Sequence, residues 1–383
     1  MKKVIMSVAI LLASLTTSLF ALEWGGLVNN TTVVTTPDFK GVKINQGNEF
    51  YLWANGPLNK SQTLRFAAEG KYKFNWDSYY SNYPNHGMDH ALDVTLLKLS
   101  GNWVFGNKKL LLDVGRFNYA DKVGAYFFQP SDGLSLRYEA ISSRFGLYAG
   151  YTGLLNKHTV LMQNDVDLGE ENSILYDFTY GYVPIMLDAT FSHVGPLEIG
   201  LQASYFLDIA NKGKASQAYG TVTLAGGLSN IGQYSVNLVA GTNNFKDLMM
   251  YGAADITFYV NDNVLLMVGS EYASGKNESM KISTFRPITA RPFGTGNEID
   301  SMVIAPRASS VFMIGNFLMT LNEKLTLSLY NEKFEVNSLD SNLSMVYNVF
   351  SDLQLGLSGM ASVNFKDKSQ NNYGVVVNAS LSF

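Results

Sequence analysis

The amino-acid sequence predicts an all-β fold, a transmembrane antiparallel up-and-down β-barrel of about 18 strands, with 16 as the alternative count. Three observations lead to this prediction: apolar and polar residues alternate with a period of two, short turns alternate with long polar links, and charges are few. Of the 383 residues, 46% are hydrophobic and only 16% are charged, whereas a soluble domain carries about a quarter charged residues. A barrel can turn the apolar excess toward lipid.

The first 21 residues have the layout of a secretory signal peptide. Lys2 and Lys3 precede an apolar run over 4–15, and a Ser/Thr-rich stretch leads to Ala21. An N-terminal membrane anchor is the alternative, but the apolar run is short for a spanning helix. We therefore expect 1–21 to direct export and 22–383 to form one outer-membrane barrel domain. Because the later sequence has no run of 18 apolar residues, a helical membrane protein is excluded.

Residues 63–77 show the two-residue period most clearly. Apolar residues from Leu64 to Trp76 alternate with polar or small residues from Thr63 to Asp77. Since successive side chains of a strand point to opposite sides, one face is apolar and the other is polar. The segment is longer than the 5–6 residues typical of strands in soluble sheets, and a transmembrane strand needs about 9–11. The pattern recurs at 197–208, 353–365 and 373–383.

The alternation and the turn residues together predict eighteen strands, with short turns on a periplasmic rim and long loops on an extracellular rim. A secreted β-helix or sandwich is the alternative, but it would bury the apolar face against protein and use shorter strands. Short turns are predicted at 106–109, 141–144, 193–196, 261–263, 322–324 and 351–352, and long links at 78–89, 119–132, 156–172 and 274–307. The predicted strands are 22–35, 48–57, 62–77, 90–105, 109–118, 133–141, 145–155, 174–192, 197–210, 218–228, 234–245, 251–260, 264–274, 308–321, 325–336, 342–350, 353–366 and 372–383.

The last strand ends in 378–383 (NASLSF), with apolar residues at alternate positions from Tyr373 through Leu381 to Phe383. This ending resembles the C-terminal signature of bacterial outer-membrane β-barrel proteins of the porin superfamily. The stretch 113–138 resembles the GR…DGL segment of substrate-selective and alginate-export-type porins. These resemblances imply an outer-membrane location, escort by periplasmic chaperones, insertion by the barrel-assembly machinery, and contact with outer-membrane lipid and lipopolysaccharide. A homotrimer is one assembly they allow.

A barrel of 16–18 strands encloses an aqueous channel unless it is plugged, and the predicted strands begin close to Leu22. The sequence therefore predicts a porin-like channel for passive diffusion of small hydrophilic solutes or ions. Two alternatives stay open. One is a substrate-specific transporter of an oligosaccharide, organic acid or fatty acid, which inward-facing Met186, Phe206 and Met360 would favour. The other is a surface adhesin or antigen that acts through its loops.

Charged residues on the polar strand faces are the candidates for lining the pore and selecting solutes. Strict alternation sends Asp113 and Arg116 to opposite faces, so we predict a bulge at Gly115 that brings both inside. The long loop 274–307 is either a constriction loop or an external loop. The alternative for each charge is that it only keeps the lumen hydrated. The candidates are Arg65, Glu69, Lys71, Lys73, Asp113, Arg116, Arg137, Glu139, Asp188 and Glu198.

The sequence predicts no enzyme, cofactor or metal site. The absence of cysteine removes thiolate ligands and a cysteine nucleophile. A net charge of −4 gives no reason to expect a nucleic-acid partner. Two polar clusters have metal-ligating residue types, but we interpret both as solvated loops because neither has the order of a known metal motif. They are His86, Asp89 and His90, and Asp165, Asp167, Glu170 and Glu171.

Overall fold

The computed structural model describes residues 22–37, 41–80, 87–160, 162, 175–194, 197–243, 245–277, 279–289, 302–330 and 333–383. The predicted signal peptide, His86 and the acidic cluster 165–171 lie outside these residues, as does the side chain of Asp89. The strands in the described part are β1 (Glu23–Pro37), β2 (Val42–Pro57), β3 (Leu64–Tyr80), β4 (Gly87–Phe105), β5 (Lys108–Ala120), β6 (Phe128–Glu139), β7 (Ser143–Tyr151), β8 (Tyr182–Val194), β9 (Leu197–Asp208), β10 (Gln217–Gly227), β11 (Gly232–Asn243), β12 (Asp247–Asn261), β13 (Val264–Ala273), β14 (Val303–Ile314), β15 (Phe317–Tyr330), β16 (Lys333–Asn348), β17 (Leu353–Asn364) and β18 (Asn372–Ser382).

The eighteen strands form one closed antiparallel sheet. Each strand pairs with its neighbours in chain order, and β1 closes the ring on β18 from Leu27–Ser382 to Pro37–Asn372. Closure pairs the backbone groups that would otherwise stand at two sheet edges, which is what a strand structure in lipid requires. The predicted all-β up-and-down barrel is confirmed with 18 strands, and the alternative of 16 is excluded.

The outer face of the barrel is apolar and the inner face is polar, as β9 shows. Leu201 is 43% exposed on the outside, whereas its neighbour Gln202 is 7% exposed inside the barrel. On β4 the outward residues Leu97 and Leu99 are 60% and 55% exposed. Large apolar side chains are this exposed because they form a belt for contact with lipid.

Among the described residues, no helix is long and apolar enough to cross a membrane.

The boundaries predicted for the first hairpin after the long loop 274–307, which joins β14 to β15, were wrong. The turn between β14 and β15 lies at Gly315 and Asn316, where Gly315 has a φ of +57° that suits a tight turn. The predicted turn 322–324 lies inside β15 instead, because polar residues that indicate a turn also suit a water-facing strand surface. The predicted strands 308–321 and 325–336 are accordingly displaced, and Arg307 belongs to β14 rather than to a loop.

The predicted strand 174–192 was also too long at its start. Strand β8 begins only at Tyr182, and 175–181 is loop that packs near the long-loop rim. In this loop the Tyr180 hydroxyl donates to the Asp208 carboxylate of β9 at 2.7 Å. A cluster of buried apolar side chains lies within the barrel, on the inner faces of β5–β13, and it includes residues of the three loops that follow β5, β7 and β13. The loops after β5 and β13 define the candidate functional site.

Candidate functional site

The loop 121–127 between β5 and β6 is folded tightly around one carboxylate. Asp121 is 4% exposed, and its two oxygens accept hydrogen bonds from the backbone N–H groups of Val123, Ala125, Tyr126 and Phe127 at 2.7–3.1 Å. Burial raises the pKa of the Asp121 carboxyl, and the four N–H groups oppose that rise. Because one side chain satisfies four backbone donors, the loop keeps a single compact shape.

Tyr126 extends this loop across the lumen to the inner faces of β9 and β10. Its ring stacks on Tyr219 with 4.1 Å between centroids. Its hydroxyl lies 2.8 Å from Ser204 Oγ and donates to Gln202 Oε1 at 3.0 Å. Phe127 packs beside it against Phe206, with 5.3 Å between ring centroids. The loop therefore narrows the lumen and is anchored to the wall it reaches.

A second segment, 283–289, packs on the first one. The Ile288 N–H donates to the Tyr126 carbonyl at 2.7 Å, and the Phe128 N–H donates to Thr289 Oγ1 at 2.8 Å. Phe285 stacks on Tyr251 of β12 with 5.3 Å between ring centroids. This part of the long loop predicted at 274–307 therefore lies inside the barrel, whereas 290–301 lie outside the described residues. We call 121–127 and 283–289 together the constriction.

Arg116 fastens the base of the hairpin that carries the first loop. Its guanidinium donates two hydrogen bonds to Asp132, at 2.9 and 2.8 Å, and one to Asp93 at 3.1 Å. It also donates to the carbonyl oxygens of Val94 and Leu154 at 3.0 and 2.8 Å. Its side chain is only 11% exposed. Arg116 thus joins β4, β6 and the loop after β7, and does not point into open water.

The predicted bulge at Gly115 is wrong, because the pairing of β5 with β4 and with β6 continues through Gly115 without a shift. Gly115 instead has a φ of +117°, and a Cβ there would lie 2.1 Å from the Leu97 carbonyl oxygen. The β4–β5 pairing ends at Leu97–Arg116, beyond which the β5–β6 hairpin bends inward. Asp113 stays on the lumen face, 3.3 Å from Lys98 Nζ, and Arg116 stays on the opposite face of β5.

The lumen face of β3–β7 carries charges of both signs, several of them accessible. Arg65 is exposed near the short-turn rim, and Lys73 is half-buried on the same face of β3. Lys71 binds Glu49 at 2.6 Å and lies over the Tyr51 ring. The remaining candidates on this wall are Glu69, which accepts a hydrogen bond from Thr95 Oγ1 at 2.5 Å, and Arg137 and Glu139, which lie 3.9 Å apart with side chains 43% and 30% exposed.

The wall formed by β8–β13 differs, because these six strands contain no lysine or arginine. Cations from other elements reach its carboxylates. Lys122 of the constriction lies 3.8 Å from Asp188 and donates to Thr190 Oγ1 at 2.6 Å; burial lowers the pKa of the Lys122 ammonium. Glu198, on the same wall, accepts a hydrogen bond from Ser192 Oγ at 2.9 Å.

Arg307 of β14 neutralises the other part of this wall. Its guanidinium donates to both oxygens of Asp255 at 2.7–2.9 Å and also donates to Glu271, whose side chain is 1% exposed. Lys324 of β15 lies 3.9 Å from Glu271. Asp208 is held by the N–H groups of Asn211 and Ala215 at 2.8 and 2.9 Å. Most carboxylates of this wall are therefore paired.

Two cavities lie along the barrel wall, and no residue of the constriction lines either of them. One of about 710 Å³ is lined by Glu198, Tyr234 and Asp255, among others. The other, of about 530 Å³, is lined by residues that include Arg307, Lys324 and Met360. Met186 and Phe206 are fully buried beneath the constriction, so they do not line this open space. Charged groups, among them Glu198, Asp255, Arg307 and Lys324, accordingly reach the space that a solute would enter.

The C-terminal residues lie at the closing seam on the outer face. The Phe383 ring is 59% exposed and stacks on Phe50 with 6.4 Å between centroids. Its backbone exchanges hydrogen bonds with Gly26 at 2.9 and 3.1 Å. Leu381 is 44% exposed on the same side, and Tyr373 is half-buried higher on β18. Their role in insertion stays a prediction.

Sequence reasoning missed the constriction loop 121–127 and the pairing partners of Arg307. One signal for the loop was present: four consecutive apolar residues, 125–128 (AYFF), interrupt a polar link without alternating.

Of the clusters considered for metal, His90 lies on the outer face with Nδ1 2.7 Å from the Tyr72 hydroxyl. Within the part of the chain that the structure describes, no three His, Asp or Glu side chains are grouped to hold a metal ion.

Comparisons with known proteins give matches only among solved structures: no family model matches the chain, and no curated protein matches it. The crystal structure of Pseudomonas aeruginosa OpdQ has a TM-score of 0.63 and 8% identity, over 95% of this chain and 99% of that one. Acinetobacter baumannii OccAB4 has a TM-score of 0.64 and 10% identity, over 95% and 98%. Pseudomonas aeruginosa OpdK with vanillate has a TM-score of 0.59 and 9% identity, over 94% and 98%.

These neighbours are outer-membrane porins. Because identity with each of them is about a tenth, the likeness shows the fold alone, and the predicted barrel fold is confirmed. The shared fold, together with the apolar outer belt, supports the predicted outer-membrane location.

Proposed function

We propose that the protein is an outer-membrane channel through which small hydrophilic solutes diffuse passively. The observation that carries the proposal is the contrast between an apolar outer face and a charged lumen narrowed by the constriction. Charged walls keep a lumen filled with water, and a constriction anchored on both sides sets the size of the solutes that pass. The anchoring contacts are the Tyr126–Tyr219 stack and the Ile288–Tyr126 backbone hydrogen bond.

The finer proposal is a preference for small organic anions. Arg65, Lys73 and Arg137 reach the lumen from β3–β7, whereas three of the six carboxylates of β8–β13, Asp188, Asp255 and Glu271, are paired with cations from other elements. Positive groups that remain accessible to water raise the local concentration of anions. OpdK, a neighbour in fold, crystallised with vanillate, which is an aromatic carboxylate. An organic acid therefore fits the charge pattern better than a fatty acid, because Met186 and Phe206 are covered.

The proposal includes the route to the membrane that the sequence suggested. Residues 1–21 serve as the export signal, periplasmic chaperones and the barrel-assembly machinery receive the chain, and Phe383, Leu381 and Tyr373 mark its last strand. Lipid and lipopolysaccharide contact the outer belt, and a homotrimer is one assembly. We assign no catalytic step, cofactor, metal or nucleic-acid partner to the chain.

Planar-bilayer recording of the pure folded protein tests the channel. We expect discrete conductance steps, and their absence would contradict the channel proposal. In a salt gradient the reversal potential should indicate anion preference. The variant Arg65→Glu/Lys73→Glu/Arg137→Glu should shift it toward cations. The matched control Lys60→Glu/Lys108→Glu/Lys246→Glu makes the same charge change at the rims and should leave the preference nearly unchanged. Equal shifts in both variants would remove the three residues from the filter.

A further inference from the structure

The cavity of about 530 Å³ is bounded by two neighbouring rows of side chains on the lumen face of β14–β18. Strand pairing places the members of the first row side by side across β14–β17, in the order Ser309, Asn322, Asn342 and Met360. They point inward, because Leu343, which follows Asn342 in β16, is 37% exposed on the outer face. The cavity therefore opens on the lumen, and its volume is within the range of about 300–1,000 Å³ of sites that bind small molecules.

Three asparagine amides that line the cavity retain unused hydrogen-bonding groups. Among the described residues, the Asn342 side chain has no hydrogen-bond partner. Asn322 accepts a hydrogen bond from Ser309 Oγ, and the Oδ1 atom of Asn372, on β18, is buried without a partner in the same described part of the chain. Each amide carries two N–H donors and an acceptor oxygen. The cavity can therefore both donate to a solute and accept from it at three positions.

The second row contains charges that already balance one another. It crosses β15–β18 as Lys324, Asp340, Ser362 and Asn372. Lys324 lies 3.9 Å from Glu271 and opposite Asp340 in the strand pairing, and Arg307 beside it is held by Asp255 and Glu271. Since these two bases meet three carboxylates, an anion gains no net attraction in this cavity. A neutral solute can instead form hydrogen bonds with Asp340 and Lys324, and bonds to charged groups are stronger than those between neutral groups.

Methionines lie at both ends of the amide row and supply the apolar part of the cavity. Met267 of β13 pairs with Ser309 at one end, and Met360 of β17 is the last member at the other. Met360 extends over Gly374, where a Cβ would lie 3.3 Å from the Met360 Cγ atom. An unbranched thioether adapts its shape to an irregular apolar surface. The cavity thus offers polar groups along its wall and apolar groups on either side of them.

We propose that this cavity binds a neutral sugar on its way through the lumen. A sugar ring carries hydroxyl groups around its edge, each able to donate and to accept, and C–H groups on its two faces. The three amides and the Asp340 carboxylate match the hydroxyl groups, and the two thioethers match the C–H faces. The inference rests on the proposed channel and names a class of solute that this wall recognises. The accessible bases of β3–β7, such as Arg137, act on anions from another part of the lumen.

Single-channel recording with maltose, a neutral disaccharide, tests the site. We expect maltose to reduce the current through the open channel in a concentration-dependent way, because a sugar held in the cavity obstructs the lumen. Benzoate, an organic anion without hydroxyl groups, should not compete with maltose at the same concentration, because the charges of the cavity are balanced. If maltose leaves the current unchanged, or if benzoate displaces maltose, the proposal is wrong.

The variant Asn342→Leu removes an amide at nearly constant side-chain volume. We expect it to raise the half-blocking concentration of maltose roughly tenfold, through the loss of hydrogen bonds to the sugar. The matched control Asn237→Leu makes the same change on the inner face of β11, outside the cavity, and should shift this concentration by less than about twofold. Met360→Ala, which leaves every amide in place, should also weaken the block. Conductance in salt alone shows that a variant has folded, and equal shifts in Asn342→Leu and Asn237→Leu would overturn the proposal.

Equilibrium dialysis of the folded protein in detergent against radiolabelled maltose measures the site without the channel. We expect wild-type protein to retain maltose and Asn342→Leu to retain less of it, whereas Asn237→Leu should behave as wild type. Maltose binding of this kind in a protein that gives no conductance would contradict the channel and support the sugar site. Conductance in a protein that binds no maltose would overturn the sugar site and leave the channel in place.

Discussion

The two walls of the lumen use charge in different ways. On β8–β13 three carboxylates receive their cations from elsewhere, and one of them, the buried Glu271, receives its cation from Arg307. On β3–β7 acids and bases lie beside one another, and groups such as Arg137 remain accessible. Buried pairs are costly to break because the remaining partner stays buried and uncompensated, whereas exposed pairs contribute little. We therefore expect the first wall to bear mainly on stability and, under the proposed function, the second mainly on the choice of solute.

The largest expected effect comes from Arg307→Ala. Removing the guanidinium leaves Glu271, which is 2% exposed, and Asp255 without their main cation. We expect the free energy of unfolding to fall by about 3–5 kcal/mol, measured by urea unfolding of barrels refolded in lipid vesicles. The matched control is Arg65→Ala on the other wall, where the exposed side chain should contribute about 0–1 kcal/mol. Similar losses in the two variants would remove the distinction between the walls.

The barrel itself could be predicted from sequence because its signal is local. The alternation of apolar and polar residues predicted a segment of each of the eighteen strands, and turns such as 106–109 were predicted from the Gly and Asn residues that they contain. The displaced turn at 322–324 shows where this fails: a polar run can satisfy its groups in the lumen, as Lys324 does near Glu271, without leaving the strand. The constriction depends on contacts such as Tyr126–Tyr219, between residues far apart in the chain. No local period encodes such a contact.

Arg116→Lys tests whether the burial of a charged group, and not the strands that carry it, decides how much stability its substitution costs. Arg116 lies on β5, on the face opposite to the lumen charges of β3–β7; its side chain is 11% exposed and binds Asp132 through two hydrogen bonds. Lysine cannot reproduce that fork. We expect a loss of about 1.5–3 kcal/mol, the value of one hydrogen bond to a charged group, in the same unfolding assay. The control Arg137→Lys, at an accessible pair, should change stability by less than about 1 kcal/mol. If Arg116→Lys lowers the free energy of unfolding no more than Arg137→Lys does, burial does not explain why the two walls differ in their effect on stability.

A smaller effect is expected from Tyr126→Phe in the constriction. The substitution keeps the stack on Tyr219 and removes only the hydroxyl that meets Gln202 and Ser204. We expect a loss of about 1 kcal/mol with the single-channel conductance almost unchanged. Tyr126→Ala, which also removes the stack, should raise the conductance because the loop loses its anchor on β9 and β10. Unchanged conductance in Tyr126→Ala would show that another contact holds the constriction in place.

The smallest effect is expected at an ion pair of the long loop between β7 and β8, away from both walls. Lys157 Nζ lies 2.6 Å from the Asp177 carboxylate. The hydrogen bond from Lys157 holds the pKa of Asp177 below its usual 3.8. A carboxyl whose pKa is lowered by folding stabilises the folded state above its unfolded pKa, and this contribution is lost as the pH falls through the lowered value. Wild type should therefore be slightly more stable than Asp177→Asn at neutral pH, and the difference in unfolding midpoint should vanish well below pH 3.8. A difference that persists in acid would mean that Asp177 acts through its packing and not through its charge.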